Sequence, residues 1–452
     1  MAMANEAQAA TLLGSSPSRS SEGIMEKVVL VCTAVALQMI VWAAMAWAFW
    51  IHHFGYVFDQ MSDTMIYVKY ADAMSLGMWP YAHLAVEYPP LALPLFLLPP
   101  HSGTFARYEV WFSLEMIAIS AATAAITTVA AMLLWRDQRR TLLTILGFTA
   151  AVVACGPLIA NRYDIAVAAV IALWVTFLVR RHYTASAAAL GIGFALKLTP
   201  AMLLPLVFLI GGRRTVVRSL AAFVIAAALP FAPFALQGFR GVSYIVTYHA
   251  QRPLQIESVF ATPYLVAHMF GLTNLTTTSV YGSQNIVASG TSWLASLSVW
   301  AIGVSLFVAY WVLWRRHVLR ADPSRAPLVA LTLVLTLMCF SKVLSPQFLI
   351  WTLPLVALVL ANGRRGERTV GILLVASLVL TQVEFPALYW SFVDLHRGPV
   401  ALVSFRNGVL VVATALAWRA VVRLPARPLG LPMPEVLSRV AGRQEAAAPS
   451  SK

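Results

Sequence analysis

Apolar runs long enough to cross about 30 Å of hydrocarbon recur along this chain from residue 26 to residue 422. No water-soluble fold can hide that much apolar surface. Hydrophobic residues make up 60% of the sequence and charged residues only 11%, against roughly 45–50% and about 25% in a soluble domain. Length alone suggests about three soluble domains, but one continuous membrane domain over residues 26–422 is the simpler reading.

The formal charge of +14 raises the question of nucleic acid, and the positions of the basic residues answer it. Clusters fall at Arg136/Arg139/Arg140, Arg180/Arg181, Arg213/Arg214/Arg218, Arg315/Arg316/Arg320, Arg364/Arg365/Arg368 and Arg419/Arg423/Arg427, each in a short connection after an apolar run. Arginines placed this way mark cytoplasmic connections, not a nucleic-acid surface. Counting spans against them predicts an all-α polytopic membrane protein of about twelve transmembrane helices with both termini in the cytoplasm. Residues 1–25, rich in Ala and Ser, read as a disordered cytoplasmic tail, and residues 423–452 as a basic one. No signal peptide precedes the first span.

Two long segments, 53–107 and 237–291, are left for the extracytoplasmic side, where long structured loops usually carry function. Residues 84–100, LAVEYPPLALPLFLLPP, are apolar but proline-broken, and predict an interfacial or re-entrant element; PYLVAHMFGL at 263–272 reads the same way. Cys32, Cys155 and Cys339 lie within apolar runs without metal or redox spacing. His249, His268 and His396 show no ligand spacing either, so no metal site is expected from them.

Charged groups near the membrane are costly and tend to be functional. Asp59 and Asp63 follow the first span in FDQMSDTMIY, Asp72 and Glu87 come next, and NRYD supplies Arg162 and Asp164. Only five of the 32 basic residues are lysine, and two are placed alike: Lys197 in ALKLTPAMLLPL and Lys342 in FSKVLSPQFLIWTLPL. Each precedes Ser or Thr, then Pro, at an outer junction where a freed helix end and a point charge can hold phosphate. Arg252 and Glu257 in HAQRPLQIES add an expected ion pair, and Arg162 with Asp164 reads equally as a structural pair or a ligand site. Blander readings exist for each: lysines near helix ends snorkel, and a loop carboxylate such as Asp72 can simply be solvated. Convergence of cations and carboxylates on one face favours a shared site. Cations there suit an anionic substrate group, and carboxylates suit a proton acceptor or a sugar-hydroxyl partner.

At these residues the sequence resembles glycosyltransferase family 87 of the GT-C superfamily, whose members include polyprenyl-phosphomannose-dependent mannosyltransferases. The resembling stretches are SDTMIYVKYADAMSLGMWPY with EYPPL, NRYDIAVAA, ALKLTPAMLLPL, the RPLQIES loop and SKVLSPQFLIWTLPL. The resemblance implies a GT-C-like bundle, with interfacial helices in the long first and middle loops. It also implies inverting transfer of a sugar from a polyprenyl-phosphate donor to a glycolipid or glycan hydroxyl at the extracytoplasmic face of the cell membrane. It makes Asp63 the expected base, in the Asp-x-x-x-Tyr context with Tyr67, and Asp59 the second candidate. Lys197, Lys342 and Arg252 are then expected at the leaving phosphate, with Arg162, Asp164, Glu87 and Glu257 shaping the pocket. No cofactor beyond the lipid donor is firmly implied; a divalent metal stays open, though no ligand set supports it. The partners expected are membrane lipids, the donor and the acceptor, with no nucleic acid. A secondary transporter or lipid flippase shares the span count and is the alternative.

Overall fold

A computed structural model describes residues 18–51, 63–237, 239–317, 319 and 322–423. Asp59 lies outside the described residues, as do 1–17 and 424–452 of the two expected tails. The main helices are α1 (Ser18–Met45), α2 (Thr64–Ser75), α3 (Phe105–Trp135), α4 (Gln138–Cys155), α5 (Asp164–Val179), α6 (Tyr183–Leu196), α7 (Leu204–Gly211) and α8 (Arg213–Ala228). They continue as α9 (Phe239–Gln251), α10 (Thr262–Met269), α11 (Thr291–Arg316), α12 (Ala326–Phe340), α13 (Leu353–Ala361), α14 (Arg365–Gln382) and α15 (Arg397–Val422). Among the described residues seven helices are long and apolar enough to cross a membrane, and six further apolar helices are shorter. α1 starts at Ser18, inside the stretch read from sequence as a disordered tail.

Helix starts follow local chemistry. The α3–α4 turn places Arg136 in the left-handed region and uses the Asp137 side chain to accept the Arg139 amide at 2.9 Å, a conventional N-cap. The two Lys–Ser/Thr–Pro junctions fold alike. After Lys197 and after Lys342 the chain enters a 3₁₀ turn, Thr199–Leu203 or Pro346–Thr352. A second proline, Pro205 or Pro354, then opens α7 or α13. Proline is tolerated there because the first turn of a helix has no intrahelical acceptor for its missing N–H.

α5 is apolar on all sides and is buried accordingly: it packs against α3 and α6, and its Trp174 is fully enclosed. α11 instead exposes Trp293, Trp300, Phe307 and Trp311, the surface of a lipid-facing helix. α6 and α8 approach closely at Gly191, where a Cβ would meet the Phe223 carbonyl oxygen at 2.5 Å.

The two long loops are structured. The proline-rich segment forms a short 3₁₀ turn and the helix Leu93–Leu97, with Phe96 packed inside the main core. The second loop adds a small two-stranded sheet to the helical fold. It contains an antiparallel hairpin of β1 (Thr276–Val280) and β2 (Ser283–Val287), with Thr276 opposite Val287. The β-branched run TTTSV favours a strand. Tyr281 and Gly282 both adopt positive φ (53° and 59°), which is what a two-residue hairpin turn demands. Residues 254–256 lie along this hairpin, with the Ile256 amide donating to the Gln284 carbonyl and the Ile286 amide to that of Leu254. Side chains alternate along such a segment. Leu254 and Ile256 therefore enter a second core with Leu265, Ile286, Val400 and Val403, while Gln255 and Glu257 face a cavity.

Candidate functional site

That cavity has a volume of about 490 Å³ and collects residues from helix ends and from both long loops. Asp63, Tyr67, Glu87, Arg162, Asp164, Lys197, Arg252, Glu257 and Lys342 all line it. The structure thus brings together every described residue that was expected in the base, phosphate and pocket roles. Asp72, exposed on α2, is not among the lining residues.

Asp63 caps α2 through its backbone, its carbonyl accepting the Ile66 and Tyr67 amides at 2.8 and 3.1 Å. Its side chain makes no capping bond and pairs instead with Arg162, Nε to Oδ2 at 3.0 Å. Asp164 opens α5, where a carboxylate meets the positive end of the helix dipole. It accepts from Lys197 Nζ at 2.5 Å and from Trp351 Nε1 at 2.6 Å. Lys197 sits about equally close to the rings of Tyr163, Phe348 and Trp351, 5.0 to 5.3 Å from their centroids. An ion pair between Arg162 and Asp164, one of the two readings the sequence left open, is therefore not among the ion pairs of the described residues. The two residues flank the start of one helix, and each finds its counter-ion on a different neighbour.

The expected Arg252–Glu257 pair is also absent from the ion pairs of the described residues. The Glu257 carboxylate accepts from Gln255 Nε2 at 2.8 Å, and the Nε of Arg252 has no hydrogen-bond partner among the described residues. Burial disfavours the charge on Arg252 and pulls its pKa down. Lys342 donates to the Ala250 carbonyl at 2.7 Å. Burial and then the nearby Arg252 depress its ammonium below the usual range. Burial, and behind it the charge of Glu384, pushes the Glu257 carboxyl well up. Glu87 accepts from the Tyr70 hydroxyl, and burial raises it too.

Tyr67 is a wall rather than a polar contact. It stacks on Phe96 at 4.2 Å and meets Tyr88 and Tyr163 edge-on, and burial raises its phenol. His249 also lines the cavity, and desolvation followed by Arg252 holds its imidazole down at about 4. Sequence reasoning missed several contributors. Gln255 was legible in the alternation of PLQIES, and Arg406 as an arginine inside an apolar run. Trp351 carried no polar signal. Among the described residues no group of three or more His, Cys, Asp or Glu is arranged to hold a metal.

A polytopic helical protein with cations, carboxylates and aromatic rings gathered in one cavity at its helix ends is built to receive a charged or polar molecule at a membrane. The sequence model of glycosyltransferase family 87 matches residues 86–346, more than half the chain. The chain belongs to glycosyltransferase family 87. Among solved structures it is similar to ArnT from Cupriavidus metallidurans bound to undecaprenyl phosphate, at 14% identity over 86% of this chain and 76% of that chain, with a TM-score of 0.44. No curated protein matches the sequence.

Proposed function

We propose that this chain is an inverting glycosyltransferase that takes a sugar, mannose by family resemblance, from a polyprenyl-phosphate donor. The acceptor is a hydroxyl of a glycolipid or glycan, and the reaction occurs at the extracytoplasmic face of the cell membrane. The observation that carries this reading is the uneven pairing of the four cavity cations. Arg162 and Lys197 each have a carboxylate within ion-pair distance, whereas Arg252 and Lys342 have none among the described residues. Two cations, Lys342 buried and Arg252 half-buried, without a counter-ion among the described residues and beside a carboxylate on the same cavity, suit an anionic leaving group and a base.

In this reading Asp63 takes the proton of the acceptor hydroxyl as its oxygen bonds to the anomeric carbon. The carbon–oxygen bond to phosphate breaks from the opposite face, its electron pair leaves on the phosphate, and the configuration inverts. Arg252 and Lys342 supply the positive charge that the departing phosphate needs. Arg162 holds Asp63 in place, and the Asp164–Lys197–Trp351 cluster fixes the floor. Glu257 and Glu87 are the expected partners of sugar hydroxyls. The arginine-rich connections support placing both termini in the cytoplasm.

The test is transfer by the full chain in lipid nanodiscs, supplied with polyprenyl phosphates carrying mannose, arabinose or glucose. Asp63→Asn should express normally and lose transfer by about two to four orders of magnitude. Undiminished transfer removes Asp63 as the base. Absence of transfer from every donor, together with substrate uptake into vesicles, overturns the reading in favour of a transporter.

A further inference from the structure

Behind the cavity wall, against Glu257 of the second loop, lie two further buried charges, Glu384 and Arg406, both beyond the family-matched residues. Arg406 on α15 is 1% exposed, as are Glu257 and Glu384. Arg406 Nη2 donates to the backbone carbonyl of Glu257 at 3.1 Å, and Nη1 to Thr381 Oγ1 at 3.4 Å. The next residue, Asn407, donates to the same Glu257 carbonyl at 3.1 Å, and also to the Ser258 carbonyl and Thr262 Oγ1. Two consecutive side chains of one helix thus clamp a single carbonyl of the second long loop.

A guanidinium is an expensive clamp at this depth, because removing it from water costs several kcal/mol. Asn407 shows that a neutral amide can make the same bond. The charge is therefore explained by its neighbours: Glu257 and Glu384 both lie within electrostatic reach of Arg406. Several polar atoms of this cluster have no hydrogen-bond partner among the described residues: Glu257 Oε1, both carboxylate oxygens of Glu384, Arg406 Nε and Asn407 Oδ1. Buried polar atoms are seldom left unpaired, and such a gap beside a cavity calls for a polar ligand or ordered water. Of these residues only Glu257 lines the cavity.

We infer that this cluster is the sugar-recognition end of the cavity: Glu257 accepts a hydroxyl of the transferred sugar through Oε1, and Arg406 and Asn407 are positioning residues that act through Glu257. The inference rests on the donor reading above and deepens it. Arg252 and Lys342 then hold the phosphate, so one molecule is read at two places, uncharged hydroxyls by Glu257 and anion by the cations. Glu384 offsets part of the Arg406 charge that Glu257 feels.

The experiment measures binding to the full chain in nanodiscs of two lipids, a polyprenyl phosphate bearing a hexose and the bare polyprenyl phosphate. The wild type should bind the sugar-bearing lipid more tightly. Glu257→Gln, which keeps the shape, and Arg406→Met should each erase that preference, a loss of roughly tenfold or more, while binding of the bare lipid stays within about twofold. Arg406→Lys, retaining charge and a donor, should recover part of it. Parallel weakening of both lipids by Arg406→Met, or an unchanged preference in Glu257→Gln, overturns the inference. A wild type that binds both lipids equally overturns it too and leaves the donor reading intact; one that binds neither overturns the donor reading itself.

Discussion

Gln255 and Lys342 are joined backbone to backbone, the Gln255 amide donating to the Lys342 carbonyl at 2.9 Å. The Gln255 side chain completes the joint: its Oε1 accepts the Leu344 amide at 2.8 Å, and its Nε2 donates to Ser345 and to Glu257. One residue of the second loop thus fixes the junction that carries Lys342 against the segment that carries Arg252 and Glu257. Arg252 and Lys342, proposed to hold the phosphate, come from places far apart in sequence, and this joint brings them to one cavity.

Gln255→Leu should therefore cost more than its own contacts. It leaves the Leu344 amide and the Glu257 carboxyl short of partners, at about 1–3 kcal/mol for each unsatisfied buried group. Thermal unfolding in detergent should show a lower midpoint, and donor KM should rise as the two cations lose register. An unchanged KM would separate the joint from donor binding.

The two similarly placed lysines should respond differently to removal. Lys197→Met takes from the buried Asp164 carboxylate its ion-pair partner among the described residues, leaving the Trp351 N–H alone, and should destabilise the protein by roughly 3–5 kcal/mol, the usual cost of breaking a buried pair from one side. Lys342→Met strands no carboxylate among the described residues. It should leave the unfolding midpoint near that of the wild type and raise donor KM by about tenfold or more. Equal stability losses in the two variants would contradict this division.

Trp351→Phe keeps the ring beside Lys197 and removes only the N–H that reaches Asp164 at 2.6 Å. A hydrogen bond to a charged group contributes about 1.5–3 kcal/mol. The variant should unfold at a lower temperature by a corresponding amount, and a midpoint equal to that of the wild type would show that Lys197 alone satisfies Asp164.

Lys342 also sets a pH limit. Burial and the neighbouring Arg252 hold its pKa below the ordinary 10.5. Its charge is complete at lower pH and is lost as pH rises through the depressed value, earlier than for an exposed lysine. Donor affinity should fall on the alkaline side accordingly. Lys342→Arg keeps its charge throughout, so binding titrated between about pH 7 and 10 should show that fall displaced to higher pH. An unmoved alkaline limb would exclude Lys342 as the titrating group.

What the sequence determined by itself was the local part: where helices lie, where prolines interrupt them, and that Lys197 and Lys342 occupy matching junctions. Apolar runs, proline geometry and charge at helix ends act within a few residues, so they can be read one segment at a time. The tertiary structure alone decided which charges meet. Arg162 and Asp164 are two residues apart yet take Asp63 and Lys197 as partners, because a helix start sends their side chains to different neighbours. It likewise produced the hairpin that turns Gln255 and Glu257 toward the cavity, and it laid Arg406 of the last helix against the second loop. Coulomb energy and hydrogen bonding depend on distance in space, and that distance is fixed only when the helices pack.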